Sequence, residues 1–190
     1  MKRENKTQYA LLGILTQYEC SGYDIKKFIE TSLGFFWSES FGQIYPNLKK
    51  LQSEGSIRQS RLVDAKGAPS IIYSITDAGR KKLRQWLAQD AEPLAHRNEL
   101  LLKLFFGSEL DNEQIKEHLA RSTAANQKLL TTYKGIEKQI AQYEGKSADW
   151  PFWQMTLDYG ILHARMELEW AKRALSLLSK TSKSKKGKSK

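Results

Sequence analysis

The segment SFGQIYPNLKKLQSEG, residues 40–55, decides the fold. Its isoleucine and leucine side chains recur at spacings of three and four, which predicts a helix with one buried and one exposed face. Ser40 and Gln43 have the spacing of an N-terminal capping box, and Gly55 predicts where the helix ends. Pro46 removes a backbone donor from the interior, so the helix either bends there or begins near the proline.

Other elements follow on both sides of this segment. The predicted order in the first half is helices over 7–16, 21–33 and 40–54, strands over 56–63 and 70–75, and a helix over 77–89. The two strands are β-branched runs separated by the turn-rich connector 64–69, which predicts a β-hairpin with a long loop. Three helices, a hairpin and a helix form the order of a winged helix-turn-helix module.

The second half is predicted to be entirely helical. Residues 98–107 are apolar nearly all round and therefore predict a buried helix, and Asp111 caps a long helix that runs to about residue 144. The last helix runs from Asp149 to about Leu178 and has two apolar faces. One face is a seam of four heptads, and we assign its central residues to a dimer interface: Trp153, Leu157, Ile161, Ala164, Leu168, Ala171 and Leu175. The second face carries Phe152, Met155, Tyr159, Leu162, Met166 and Trp170.

A helix that is apolar on two faces must be covered on two sides. The helix that begins at Asp111 can cover one side, and a second copy of the chain most simply covers the other. We therefore predict a mainly α fold with a small β-hairpin wing. It comprises a winged helix-turn-helix domain over 1–90, a long-helix dimerisation domain over 91–180 and a disordered Lys-rich tail over 181–190.

The distribution of charge indicates the partner. The chain has a net charge of +10, and residues 1–90 hold 14 basic and 9 acidic side chains. Residues 91–180 are balanced at 12 and 12, and the last ten residues add five lysines. A basic surplus confined to the first half and the tail favours a polyanion, either nucleic acid or an anionic membrane surface.

Several classes of function are excluded by what the sequence lacks. Cys20 is the single cysteine, so no internal disulfide framework exists, and the chain fits the reducing cytoplasm. One cysteine and three histidines do not suggest a structural metal site. No nucleophile elbow or phosphate-binding motif is present, so we expect neither an enzyme nor a cofactor. No apolar run is long enough to span a membrane.

Several motifs in order resemble those of the PadR family of bacterial transcriptional regulators. They are YALLGIL at 9–15, SGYDI at 21–25, FW at 36–37, GQIYPNLKKL at 42–51 and YSITDAGR at 73–80. In the second half, TLDYGIL at 156–162 and ELEW at 167–170 resemble the family's virulence-activator-like C-terminal region. The resemblance implies a homodimeric repressor that responds to a small molecule and places its third helix in the major groove.

The helix-turn-helix order assigns DNA contacts to polar residues of the third helix. Glutamine and asparagine side chains suit adenine edges, whereas lysine suits phosphate or guanine. The candidates on this helix are Ser40, Gly42, Gln43, Tyr45, Asn47, Lys49 and Lys50, and those on the hairpin wing are Arg58, Arg61 and Lys66. The alternative is a solvated helix face and a hairpin that is merely charged.

Aromatic residues exceed what a linker helix requires. We predict a flat effector pocket lined by Phe36, Trp37, Trp150, Phe152 and Trp153, with core and dimer packing as the alternative. A planar aromatic molecule is the expected ligand. His163 and Glu167 share a helix face, and we interpret His163 as an interface residue rather than as half of a ligand-binding pair. Cys20 is interpreted as a buried small residue rather than as a redox sensor.

The sequence thus predicts a cytoplasmic, homodimeric, DNA-binding repressor that a small-molecule effector releases from a palindromic operator. Two alternatives remain open. The lysine-rich tail suggests a sequence-neutral DNA-packaging protein, and the aromatic surplus suggests a dimer that sequesters drugs with little linkage to DNA.

Overall fold

Two other helices and a small sheet pack against the segment at 40–55. The computed structural model describes the backbone of residues 5–65, 68–93 and 97–187. Its elements in the first half are α1 Thr7–Gln17, β1 Cys20–Ser21, α2 Gly22–Phe28, α3 Phe41–Ser53, β2 Ile57–Ala65, β3 Ala68–Ile75 and α4 Asp77–Leu87. The predicted fold class, helices with a small antiparallel wing, is confirmed.

The core of this half is built from the periodic positions of the sequence. Ile44, Leu48 and Leu51 of α3 are completely buried, together with Leu11 and Leu12 of α1. The rings of Tyr9 and Trp86 stack with their centroids 4.5 Å apart and so join α1 to α4. Removal of these aliphatic side chains from water is the main force that holds the module together.

Capping residues fix where the helices begin. The backbone N–H of Ser21 donates to the Asp24 carboxylate at 3.0 Å, and the Asp24 N–H donates back to the Ser21 hydroxyl at 3.1 Å. These two bonds form a capping box at the start of α2, whose last turn continues as a π-helical turn over Ile29–Leu33. Helix α3 begins at Phe41 and keeps Pro46 in its interior, so the reading that it begins near the proline is wrong.

The sheet has the order β1-β3-β2 with antiparallel pairs. The short strand β1 was not predicted, because two residues ahead of a helix cap carry no strand periodicity. The predicted loop over 64–69 is also too long, since β2 extends to Ala65 and β3 begins at Ala68. The register shifts between Gln59 and Arg61, which leaves Ser60 as the extra residue of a β-bulge.

The second half consists of helices. They are α5 Glu99–Phe105, a 3₁₀ turn at Gly107–Glu109, α6 Asn112–Ala141 and α7 Trp150–Gly187. Helices α6 and α7 pack along each other as a helical hairpin. The predicted cap at Asp111 is confirmed: the N–H of Gln114 donates to the Asp111 carboxylate at 2.7 Å. The N–H of Asp111 in turn donates to the Gln114 side chain at 3.0 Å, which completes a capping box.

The prediction that residues 98–107 form a buried helix is wrong. No residue of α5 is buried, and the exposed fraction reaches 82% at Phe105 and 60% at Phe106. A helix that is apolar on all sides is expected to be buried, but its sequence does not identify the surface that covers it. The described residues of a single copy leave this apolar surface uncovered.

The end of the chain also differs from the expectation. Helix α7 extends through Gly187, nine residues beyond the predicted end at Leu178, and so enters the segment expected to be disordered. Serine and lysine permit helix continuation, and no proline or glycine interrupts the chain before Gly187. The chain divides into two compact units, Met1–Pro93 and Leu94–Lys190.

Candidate nucleic-acid interface

The exposed face of α3 carries most of the residues assigned to DNA. Its candidate contacts with exposed side chains or backbone are Ser40, Gly42, Gln43, Tyr45, Lys49 and Lys50. Ser40 caps the helix and the other five lie on it outside the buried stripe of Ile44, Leu48 and Leu51. A helix with one packed face and one polar, basic face can place its polar face against a nucleic acid while its packed face keeps its contacts with the hydrophobic core.

Gln43 helps to define the start of this helix. The backbone N–H of Ser40 donates to Gln43 Oε1 at 2.9 Å, and the Ser40 hydroxyl donates to the same oxygen at 3.0 Å. A bidentate contact to adenine needs both the oxygen and the nitrogen of an amide. While Gln43 caps the helix, its Nε2 group is the part that can donate to a base acceptor.

Asn47 does not lie on the exposed face. It is 7% exposed, and its Nδ2 group donates to the Gln43 carbonyl oxygen at 2.7 Å. Its Oδ1 atom accepts from Asn5 Nδ2 at 3.1 Å. The assignment of Asn47 as a base-reading residue is therefore corrected: both ends of the amide are engaged inside the protein, where they join α3 to the segment ahead of α1.

The two lysines of α3 differ in their electrostatic surroundings. Lys50 lies 3.7 Å from Glu54, and Lys82 of α4 lies 2.7 Å from the same carboxylate. The hydrogen bond from Lys82, aided by the charges of both lysines, lowers the pKa of Glu54. Lys49 forms no ion pair within the described part of the chain and is the lysine whose full charge is available to a phosphate.

The bulge at Ser60 aligns the two arginines of the wing. Arg58 pairs with Ser74 and Arg61 pairs with Ile72, and the two partners are two residues apart on β3. Without a bulge, residues three apart on a strand point to opposite faces, so the extra residue brings both arginines to one face. Arg58 Nε also donates to the Ser74 hydroxyl at 3.1 Å. Lys66, the third candidate on the wing, lies outside the described residues.

The ring of Tyr45 packs closely on the start of α2. A Cβ atom added at Gly22 would lie 2.7 Å from Tyr45 Cε1 and 3.2 Å from Leu48 Cδ1. A larger residue at position 22 would therefore have to displace the Tyr45 ring. The ring of Tyr45 is thereby held against α2, although it remains 49% exposed.

Sequence reasoning missed two exposed aromatic residues beside this face. Tyr23 is 64% exposed, and Phe41 is 42% exposed. Their ring centroids lie 6.4 Å apart, and Phe41 lies 6.0 Å from Tyr45. We call Tyr23, Phe41 and Tyr45 the aromatic ladder. The one sequence signal is Phe41 directly after the helix cap, ahead of the first buried position of α3.

The residues assigned to the dimer interface occupy mostly the inner face of α7. Leu157, Ala164 and Ala171 are each 1% exposed in a single chain, whose α7 packs mainly against α6. Trp153 contacts Tyr143 edge to face at 5.7 Å, Ile161 and Leu168 are half-buried, and Leu175 is 36% exposed. The assignment of the buried members to a dimer interface is corrected, because their apolar surface is already used inside one chain.

The second face of α7 is the one that stays open. Its members Phe152, Met155, Tyr159, Leu162 and Met166 are between 51% and 65% exposed. We call these five residues the outer face of α7. The seven-residue spacing of both faces was visible in the sequence, but only the structure shows which of them packs on α6.

The residues predicted for an effector pocket are found in both units. Trp37 Nε1 donates to the buried Glu39 carboxylate at 2.9 Å, and Phe36 is half exposed. Trp150 is half-buried and Phe152 lies on the outer face of α7. Their membership in a common pocket stays a prediction.

The thiol of Cys20 is buried and protonated. Cys20 is 3% exposed, and burial raises the pKa of its thiol to about 12, with a further contribution from the Asp24 carboxylate. A buried thiol that stays protonated is a poor nucleophile.

His163 is exposed and stacks near Tyr159, at a centroid distance of 6.2 Å. No helix among the described residues has the length and apolarity needed to cross a bilayer.

The fold and the surface of α3 and the wing define a DNA-binding regulator of the winged helix-turn-helix class. Residues 11–85 match the family model described as transcriptional regulator PadR-like family, and residues 96–179 match the one described as virulence activator alpha C-term. The chain is 30% identical to the negative transcriptional regulator PadR of Bacillus subtilis over 177 residues, which is 91% of this chain and 97% of that protein. The chain belongs to the PadR family of transcriptional regulators, and this membership makes it a regulator rather than an enzyme.

Solved structures of the B. subtilis protein extend the comparison. Its complex with operator DNA superposes with a TM-score of 0.79 at 28% identity, covering 92% of this chain and 99% of that one. Its complex with p-coumaric acid gives a TM-score of 0.73 at 29% identity with the same coverage. Both of its ligands were therefore captured on a fold that this chain shares along nearly its whole length.

Proposed function

We propose that this protein is a homodimeric repressor that binds a palindromic operator and is released from it by a planar aromatic molecule. The observation that carries the proposal is the exposed polar face of α3, which lies beside a wing whose two arginines share one side of the sheet. Because such a protein acts on the chromosome, we place it in the cytoplasm.

The expected DNA contacts divide by chemistry. Gln43 and Tyr45 lie in the first turns of α3, the part of a recognition helix that reaches base edges. Lys49, farther along the helix, and Arg58 and Arg61 on the wing supply charge for phosphates. Lys50 shares Glu54 with Lys82, so it contributes less net charge to the interface.

The outer face of α7 supports a dimer. A contiguous set of exposed apolar side chains on one helix face is costly in water and marks an interaction surface. A second copy offers the same apolar surface, and two-fold pairing of identical faces closes the assembly. Two reading helices in such a dimer address half-sites about one DNA turn, roughly 34 Å, apart.

The proposed effector is a planar aromatic molecule such as the p-coumaric acid bound by the B. subtilis relative. Trp150, Phe152 and Trp153, at the start of α7, offer aromatic surface of the kind that such a ligand stacks on. Binding that favours a dimer geometry unsuited to the operator would release DNA. By linkage, operator DNA must then weaken effector binding by the same factor.

Selection of bound fragments from random DNA tests the proposed function. We expect an inverted repeat with half-sites one helical turn apart, preferred over random DNA by roughly 10³-fold or more. A packaging protein would recover fragments without a common sequence. A reporter gene placed behind the selected site then distinguishes repression from activation. This arm is needed because the family model that matches the C-terminal half is described as a virulence activator.

Titration of the tryptophan fluorescence with p-coumaric acid tests the effector. The fluorescence should change on binding, and the selected operator at saturation should shift the curve to higher ligand concentration. A drug-sequestering protein would give the same curve with and without operator. No fluorescence change at millimolar ligand would remove this class of effector.

Substitution of Lys49 tests the electrostatic part of the interface. Lys49→Ala should weaken binding to operator and random DNA alike, and it should reduce the slope of log K against log salt by about one for the lost phosphate contact. Lys128→Ala on α6 removes the same charge from the electrically balanced half of the chain and should leave the slope unchanged. Equal slopes for the two variants would contradict the assignment.

A further inference from the structure

Tyr23 and Phe41, two of the three rings of the aromatic ladder, are exposed apolar surface that the DNA contacts assigned above do not use. Neighbouring rings of the aromatic ladder are nearly parallel. The planes of Tyr23 and Phe41 differ by 13°, and those of Phe41 and Tyr45 differ by 21°. Phe41 is the central ring and has no polar atom, so it gains nothing from facing water.

The ladder lies where the helix-turn-helix meets a nucleic acid. Phe41 is the first residue of α3, directly after the Ser40 cap, and the exposed Gly42 and Gln43 follow it. The close packing of Tyr45 on Gly22 limits how far the rings can move as DNA approaches. The first turn of a recognition helix is the part that contacts bases, so Phe41 is placed to do the same.

The chemistry of the groove limits what a phenyl ring can recognise there. Base edges in the major groove present donors and acceptors, and the apolar exception is the C5-methyl group of thymine. Contact between a phenyl ring and a phosphate is unfavourable, because the phosphate loses hydration and gains no hydrogen bond. The two tyrosines differ from Phe41 in this respect, since each carries a hydroxyl that can bond a phosphate.

We propose that Phe41 contacts a thymine methyl group in each half-site, with Tyr23 and Tyr45 supporting its ring from either side. This inference rests on the proposed recognition of DNA by α3. It makes Phe41 a specificity-determining residue that distinguishes a T·A pair from the other pairs by an apolar contact.

Replacement of thymine by deoxyuridine tests the contact, because it removes the methyl group and keeps base pairing. The probe is the duplex obtained from the random-DNA selection, prepared once with thymine and once with deoxyuridine at a single position in both half-sites. Each thymine of the half-site is replaced in turn. For the wild-type protein we expect one position at which affinity falls by roughly fourfold per methyl group, and thus about 15-fold for two.

The variant Phe41→Ala should bind the thymine and deoxyuridine duplexes equally at that position. Phe41→Leu keeps an apolar contact and should retain part of the difference, provided that both variants give the wild-type circular dichroism spectrum. The control Leu87→Ala removes an exposed apolar side chain, 64% exposed, at the end of α4 and should keep the full 15-fold difference.

Three results would overturn the inference. The wild-type protein could bind the selected duplex and show no position sensitive to deoxyuridine. Phe41→Ala could keep the wild-type ratio, which would assign the methyl contact to another residue. Leu87→Ala could lose the ratio as fully as Phe41→Ala, which would show a nonspecific effect. Failure of the wild-type protein to prefer any sequence is a separate result and would count against the proposed recognition itself.

Discussion

Gly79→Ala is expected to destabilise the first unit severely, by roughly 3 kcal/mol or more, because it forces an atom into occupied space. A Cβ atom at Gly79 would overlap the Ser56 carbonyl oxygen and would lie 2.9 Å from Ile75 Cγ1. Backbone cannot move aside as the end of a flexible side chain can. The substitution should therefore push α4 away from the start of the wing.

The junction at Gly79 offers no easy relaxation. The Gly79 N–H donates to the Thr76 hydroxyl at 3.1 Å, and that hydroxyl donates to the Ser56 carbonyl oxygen at 3.0 Å. The Thr76 N–H also donates to the Ser56 carbonyl oxygen at 3.1 Å. A shift that makes room for the methyl group must break this cap, which adds to the cost of the clash.

Gly135→Ala is the matched control for this substitution. Gly135 lies in α6, and a Cβ atom there would meet no heavy atom within 4 Å. Alanine in an exposed helix interior should raise stability by about 0.5–1 kcal/mol. Thermal or urea unfolding followed by circular dichroism measures both changes. Similar unfolding midpoints for the two variants would show that the approach of α4 to Ser56 is looser than the structure has it.

The double substitution Leu162→Asp with Met166→Asp is expected to convert the protein to a monomer and to reduce operator affinity by on the order of 10³-fold, the gain that bivalent engagement supplies. Both side chains are more than half exposed on the outer face of α7. A carboxylate buried there in a dimer without a partner would cost several kcal/mol for each copy. In a monomer the same carboxylates remain in water, so the folded chain itself should persist.

The control for this variant is Ser179→Asp, which adds a carboxylate to an exposed position of α7 in line with the polar residues Arg165 and Lys172, on another side of the helix from the outer face. It should remain dimeric and bind the operator normally. Sedimentation velocity measures the mass, and the salt-matched operator titration measures the affinity. A double variant that sediments as the control does would place the dimer contact on another surface, of which the exposed apolar helix α5 is the first to examine.

Local signals in the sequence predicted the starts of the helices well. The capping box of Ser40 with Gln43 and the cap at Asp111 were identified from the sequence alone, because a cap depends on residues only a few positions apart. The failure at α5 has the opposite origin. An apolar helix needs a cover, and the identity of that cover is a property of the assembly, which periodicity does not contain.

The candidate site shows the same division. Exposure of Lys49 and Gln43 followed from their positions opposite the buried stripe of α3. The burial of Asn47 did not, because it depends on Asn5, 42 residues away, which supplies a hydrogen bond. The bulge at Ser60 is similarly invisible, since an extra residue in a strand is defined by its partner strand.

The protected state of Cys20 has a practical consequence for spectroscopy. Burial raises the pKa of the thiol to about 12, so the thiol stays protonated at neutral pH, and burial also excludes bulky reagents. A cysteine placed at an exposed position such as Ser53, at the end of α3, would therefore be the one site that takes a maleimide spin label. One label on each copy would turn the separation of the two reading helices into a distance that electron resonance measures directly, with operator or effector added to the same sample.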